Sequence, residues 1–396
     1  MFLRHTRAIL LLMLPVSILV AQAQDGSLER IKKDMTVLAS SEMAGRGNGQ
    51  EGLNKAVAYV VESYKKMGIK AQVQTFPYRL RNSQNVMGEP DGYLSNVVAT
   101  IKGKDKKLNS QYIVVGAHLD HIGTRTPPDG GQPVINFGAD DNASGSATLL
   151  ELARTFKKNP PAHSLVFIHF SGEEWGLLGS KHWVDNPTVN INSVRFMANL
   201  DMVGRLNPDT ATMTFTAVGM GAEAIAKAVA MAPEGLNIAA DRGTSVFAGA
   251  SDHAPFAAKN IPTCFFFTGI HPDYHRPGDT IDKINWDGLA TITQFIKTLV
   301  TEYAMNHDVP EFLPRGNLGL AIAPGSEKAM ATRISQGGSA ESAGIISGDI
   351  LTSINGHKII VPGDLAKILD LLNRGDAVKL IWERDGVQME GEVLLK

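Results

Sequence analysis

Tyr112-Ile113-Val114-Val115-Gly116-Ala117-His118-Leu119-Asp120 is a short apolar run that ends on a histidine and an acid. Its first six residues are too few for a helix and rich in Val and Ile, so they read as a strand buried on both faces. Similar runs recur at 71–80, 93–101, 165–170, 194–200, 212–218 and 263–268. Helix-period segments fill the gaps at 51–67, 144–157, 222–231 and 286–304, the last with Leu289, Ile292, Phe295, Ile296 and Leu299 on one face. Strands that alternate with helices predict an α/β layered domain with a largely buried sheet.

The chain has 396 residues, enough for two or three folded units. Lys+Arg 38 against Asp+Glu 40 leaves a net charge of -2, which argues against a polyanion-binding face and so against nucleic acid as a partner. Cys264 stands alone, so disulfide staples and thiolate zinc clusters are excluded.

At the N-terminus the basic stretch Met1-Phe2-Leu3-Arg4-His5-Thr6-Arg7 precedes an apolar run over 8–21 and the small-x-small triplet Ala21-Gln22-Ala23. This is the layout of a signal peptide cleaved after Ala23. The run is shorter than the roughly 20 residues of a membrane span and contains Pro15. No cysteine follows it to carry a lipid, so no stable membrane anchor is expected, and the mature protein is expected to be secreted or periplasmic.

Beyond residue 302 the composition changes. Asn306-His307-Asp308-Val309-Pro310 and Pro314-Arg315-Gly316 read as a linker. Strand signals follow at 318–322, 350–354, 378–383 and 387–395, with a hairpin turn at Asp385-Gly386 and a helix over 362–372. The expected division is a leader over 1–23, an α/β domain over 24–308 and a small, mostly β domain over 309–396.

Several predicted strands of the larger domain share one feature: ligand-type residues follow at once, where open α/β sheets bind ligands. His118 and Asp120 lie two apart, so both can face one side of an extended segment. Phe137-Gly138-Ala139-Asp140-Asp141-Asn142-Ala143-Ser144-Gly145 is an acidic loop before a helix, and the two acids would also suit a solvated N-terminus. Ser171-Gly172-Glu173-Glu174 puts two carboxylates side by side after a buried strand, where they repel unless a cation or a shared proton compensates. Asp201 ends another apolar run, and His275 lies in the Pro- and Gly-rich loop His271-Pro272-Asp273-Tyr274-His275-Arg276-Pro277-Gly278-Asp279-Thr280. Histidines mixed with carboxylates point to zinc or a similar transition metal. His169, mid-strand, and Cys264 read as core residues, and His253 as structural.

The order His-x-Asp, Gly-Ala-Asp-Asp-Asn-Ala-Ser-Gly, Ser-Gly-Glu-Glu-x-Gly-Leu-Leu-Gly-Ser, Asn-Leu-Asp-Met and Tyr-His-x-Pro-x-Asp-Thr resembles the co-catalytic zinc peptidase family M28, typified by secreted bacterial leucyl aminopeptidases. The likeness covers about residues 38–304. It implies a mixed central sheet with helices on both faces and two Zn(II) ions. By that resemblance His118 and Asp201 hold one ion, Glu174 and His275 the other, and Asp140 bridges both. Glu173 would be the general base that activates a zinc-bound hydroxide, and Asp120 would orient His118. Two ions (+4), three carboxylates (-3) and a hydroxide (-1) leave a neutral centre. Peptides are the implied substrates, cleaved at the N-terminal peptide bond. The alternatives are a glutaminyl cyclase, which would need a single metal, a carboxypeptidase, for which Arg242 and Arg276 could bind the substrate carboxylate, or a non-catalytic peptide-binding ectodomain. No Gly-x-Ser-x-Gly elbow competes with this reading, and Gly219-Met220-Gly221 lacks the third glycine of a dinucleotide fingerprint at the expected spacing.

The C-terminal segments Gly316-Asn317-Leu318-Gly319-Leu320, Gly338 to Asp349 and Ile354-Asn355-Gly356 resemble a PDZ domain of the protease-associated kind. That resemblance implies a groove for a peptide C-terminus added as a strand. A packing module without a ligand is the other reading.

Overall fold

The computed structural model describes residues 16–80, 89–127, 129–307 and 309–396, with side chains from residue 26 onward. Most of the expected leader lies outside the described residues or their side chains, and so does Asp308 at the expected domain junction. The larger unit begins with α1 (Val16–Leu38), α2 (Glu51–Lys66), β1 (Ala71–Tyr78), β2 (Gly92–Ile101) and β3 (Tyr112–His118). A small hairpin, β4 (Gly123–Arg125) and β5 (Val134–Asn136), leads to α3 (Gly145–Lys158), β6 (Ser164–Phe170), α4 (Leu178–Asp185) and β7 (Val194–Leu200). Then come β8 (Thr212–Val218), α5 (Ala222–Val229), β9 (Asn237–Asp241), α6 (His253–Ala257), β10 (Thr263–Phe267) and α7 (Trp286–Met305). Among the described residues no helix is long and apolar enough to cross a membrane.

Eight strands form one mixed sheet in the order β1-β2-β6-β3-β7-β10-β8-β9. The inner four, β6, β3, β7 and β10, run parallel, so their C-terminal ends share one edge. Alternate residues of these strands feed two cores. Ile113, Val115, Leu165, Phe167, Phe196 and Ala198 pack with α1, α2, α3 and α7, whereas Val114, Val166, Ile168 and Met197 pack with Trp183 of α4 and Phe256 of α6. This two-sided burial is why the strands read as continuous apolar runs. Helix α7 carries the predicted face of Leu289, Ile292, Phe295, Ile296 and Leu299 into the first core. Its start is fixed by Asn285, whose side chain accepts the Gly288 N–H.

Several elements escaped the sequence pattern, among them α1, the β4–β5 hairpin and three with a plain physical reason. Strand β9 is a half-exposed edge with no apolar alternation. Helix α4 starts from Leu177 in a left-handed conformation and is only eight residues long. Helix α6 is shorter still.

The C-terminal unit comprises β11 (Leu320–Ile322), β12 (Ala331–Ile334), α8 (Ser339–Ser342), β13 (Ile350–Ile354), β14 (His357–Lys358), α9 (Pro362–Leu369), β15 (Ala377–Arg384) and β16 (Val387–Leu394). Its own core gathers Leu318, Leu351, Ile354, Leu365, Leu380 and Trp382. Asp385 and Gly386 both have positive φ, as a two-residue hairpin turn requires. The strand expected from residue 318 begins at Leu320, after Gly319 at φ +70°. The two units are tied by Arg242, whose guanidinium donates to the carbonyls of Met220, Leu313, Asp370 and Leu372 and to Asn373 Oδ1.

Candidate metal centre

The shared edge of the parallel strands gathers the ligand-type residues. His118 is the last residue of β3, Glu173 and Glu174 turn away from the end of β6, and Asp201 follows β7 directly. His275 comes from the loop after β10, and residues 139–144 form an irregular turn ahead of α3. His118 Nε2 lies 3.1 Å from Asp201 Oδ1 and 3.3 Å from Asp141 Oδ1. His275 Nε2 lies 3.1 Å from Glu174 Oε2 and 3.2 Å from Asp141 Oδ2. His121 Nδ1 joins the second group, 3.0 Å from Glu174 Oε1 and 3.5 Å from Asp141 Oδ2. Two donor clusters therefore share one carboxylate.

That carboxylate is Asp141, and the expectation that Asp140 bridges is corrected. Asp140 Oδ1 accepts the Gly204 N–H at 2.6 Å, and Oδ2 faces His271 Nε2 at 3.4 Å, away from both clusters. The Asp279 carboxylate fixes the choice by accepting the N–H groups of Asp140 and Asp141 together, so the two side chains leave the turn in different directions. The charge count of the centre is unchanged, because one aspartate replaces another.

Asp120 also acts differently from expectation. His118 Nδ1 lies 3.1 Å from the Asp120 carbonyl oxygen but 3.8 Å from its carboxylate. The carboxylate instead accepts the N–H groups of Glu173 and Glu174, each at 3.2 Å, and the Asn48 amide at 2.6 Å. It holds the turn that presents both glutamates.

Further support comes from residues the sequence reading left unassigned. Ser251 Oγ donates to Asp201 Oδ2 at 2.7 Å and accepts from Asn199. Asn142 binds the Leu200 carbonyl with its amide nitrogen and the N–H groups of Gly145 and Met202 with its oxygen. Arg46 is fully buried and donates to the carbonyls of Leu38, Leu119, Phe137 and Gly138, which joins three loops beneath the site. Asp141 and Asn142 had a readable signal, since both sit inside the acidic loop already singled out, whereas His121 lies one residue beyond the His118-x-Asp120 motif. His169 is a core residue bonded to Tyr64 and Ser146, and His253 is buried and stacks on Phe265, so neither joins the donor clusters.

The adjacent glutamates are driven apart electrostatically. Burial pushes Glu173 well above the usual carboxylate range; His118 opposes this, and the Asp201, Asp252 and Glu174 carboxylates reinforce it. Burial would also raise Glu174, but hydrogen bonds from His121 and His275 more than offset it and hold Glu174 well below that range. Surroundings that push two adjacent carboxyls in opposite directions separate a proton carrier from a ligand. A cavity of about 70 Å³ opens beside His118, Asp141, Glu173 and Asp201, walled by Met202, Phe247, Phe265, Phe267, Ile270 and Tyr274.

The donors fit zinc. With zinc–ligand distances of about 2.0–2.1 Å, neighbouring ligands of a tetrahedral ion stand about 3.3 Å apart. The histidine-to-carboxylate spacings in the His118–Asp141–Asp201 and His275–Asp141–Glu174 clusters, 3.1 to 3.3 Å, match this. The buried Asp141 and Asp201 carboxylates and the largely buried one of Glu174 stand close together, a cost that a cation would remove.

Comparison with known proteins gives a concordant picture. The profile described as Peptidase family M28 matches residues 96–300, and a PDZ-domain profile matches residues 330–384. Aminopeptidase YwaD of Bacillus subtilis (strain 168) is 28% identical over 229 residues, covering 56% of this chain and 47% of that protein. The probable leucine aminopeptidase 1 of Trichophyton verrucosum (strain HKI 0517) is 31% identical over 223 residues, covering 53% of this chain and 58% of that protein. The chain thus spans about half the length of these curated relatives. Among solved structures, the aminopeptidase from Aneurinibacillus sp. strain AM-1 superposes with a TM-score of 0.58 at 21% identity, over 73% of this chain and 97% of that one. The zinc aminopeptidase BSAP from Bacillus subtilis gives 0.56 at 18% identity, over 72% and 98%. Both establish the fold.

Proposed function

The chain belongs to peptidase family M28, and from that premise we propose that it is a zinc-dependent aminopeptidase that hydrolyses the first peptide bond of peptides. The observation that carries this reading is the Asp141 carboxylate, with one oxygen toward His118 and Asp201 and the other toward His275 and Glu174. His118, Asp201 and Asp141 would hold one zinc ion, and Glu174, His275 and Asp141 the other. Held there, two such ions would supply Lewis acidity for the scissile carbonyl and a water of lowered pKa. Glu173 is adjacent to both clusters and is itself outside them. Its raised proton affinity suits a group that takes the proton of the attacking water and delivers it to the leaving amine. Asp120 keeps Glu173 in place through its backbone N–H. The apolar wall of Met202, Phe265, Phe267 and Ile270 suits an apolar side chain at the substrate N-terminus, and the surrounding carboxylates suit its ammonium group.

Two alternatives lose ground. A single-ion cyclase leaves the second donor cluster unexplained. A carboxypeptidase would need a cation for the substrate carboxylate; Arg242 is committed to the C-terminal unit, which leaves exposed Arg276, beside His275, as the single one of its two candidates still available. We also propose export by the N-terminal leader, a junction near residue 308, and a PDZ domain that receives an extended peptide.

The test is release of the N-terminal residue from free and N-acetylated peptides of one sequence. Activity should require the free amine, and Glu173→Ala should keep its zinc while losing about 10²- to 10⁴-fold in kcat. Equal cleavage of acetylated peptides would overturn the aminopeptidase assignment.

A further inference from the structure

Each carboxylate oxygen of Glu174 meets its own imidazole: Oε2 meets His275 and Oε1 meets His121. The His121 ring is 1% exposed, and its position is set by two features. Its backbone N–H donates to the Arg46 carbonyl at 3.1 Å. Its ring lies against Gly138, where a Cβ would come within 2.5 Å of a ring carbon, so glycine there is a steric condition for the ring's placement. His121 Nε2 is buried and has no hydrogen-bond partner among the described residues, which favours the tautomer with its proton on Nδ1. A proton on Nδ1 makes a 3.0 Å hydrogen bond to Glu174 and leaves an unpaired acceptor at Nε2. A proton on Nε2 would bury an unpaired donor and set the Nδ1 lone pair against a carboxylate oxygen. Direct ligation of an ion by Nδ1 carries the same orphaned N–H. Orphaned buried N–H groups are the rarer and costlier defect.

We infer that His121 is a positioning residue for the second ion: its Nδ1–H anchors the far oxygen of Glu174 and so turns the near oxygen toward His275 and Asp141. This rests on the two-ion reading. Outer-sphere partners of ligating carboxylates typically contribute 10- to 100-fold in metal affinity.

The test is titration of the metal-free full chain with Co(II), followed by visible absorption, with zinc competition for affinities. Wild type should take two ions. His121→Ala should bind one of them 10- to 100-fold more weakly and the other unchanged. Should that variant fail to fold, as judged by circular dichroism, His121→Phe keeps the ring's volume without the donor and carries the same expectation. His121→Asn places an amide N–H near the Nδ1 position and should restore most of the affinity. Unchanged binding of both ions by a folded donor-free variant would overturn the inference, as would an Asn variant as weak as Ala, which would mean that a lone pair rather than a proton is required. A wild type that takes fewer than two ions would defeat the two-ion reading itself, and this inference with it.

Discussion

The Asp120 carboxylate accepts the backbone N–H of Glu174 at 3.2 Å, so a residue two positions beyond one donor fixes the direction of a donor in the other cluster. Asp120→Ala removes the acceptor for Glu173, Glu174 and Asn48 together and should lower kcat/KM by about 10- to 100-fold. Asp120→Asn keeps one carbonyl oxygen and should lose less. Steady-state hydrolysis of a chromogenic amino-acid amide measures both.

Asp140 and Asp141 are neighbours with opposite consequences. Asp141→Ala removes the shared carboxylate and should bring bound zinc close to zero by elemental analysis. Asp140→Asn should keep its zinc. It weakens the charge-assisted bond to the Gly204 N–H and should cost about 1.5–3 kcal/mol in urea unfolding.

Two buried histidines set the acid limit of stability. Burial lowers His169 to about 3 and His253 to about 4. Between those values and the unfolded value near 6.5 the unfolded chain binds protons that the native state does not, so stability rises with pH across this window and is lost as pH falls through it. The loss should reach roughly 3 to 5 kcal/mol for each histidine. Unfolding of metal-free protein from pH 7 to pH 4 checks this. A His169→Gln variant should show a shallower pH slope.

Arg242, held in its own unit by the Met220 carbonyl, reaches four acceptors beyond residue 308. Arg242→Ala leaves those groups without their partner and should loosen the C-terminal unit. Limited proteolysis near residues 306–315 should then run faster than in wild type.

Much of this was legible in the sequence because burial on both faces leaves an uninterrupted apolar run. Residues 112–118, 164–170 and 194–200 announced themselves, and their chemistry sat at their C-terminal ends. What stayed hidden depends on side-chain direction. The acidic loop offers two adjacent aspartates of identical chemistry, and only the Asp279 hydrogen bonds to their backbone reveal which one turns inward. His121 lies one residue beyond Asp120, but its path to Glu174 runs through a long-range contact that no spacing rule encodes. Edge strand β9 carried no alternation because it has little to bury.

The most direct test of the central claim is an anomalous difference map from crystals of the zinc-loaded protein, recorded at the zinc absorption edge. Two peaks flanking the Asp141 carboxylate, one beside His118 and Asp201 and one beside Glu174 and His275, are the predicted result. A single peak, or density centred on Asp140 and His271, would contradict it.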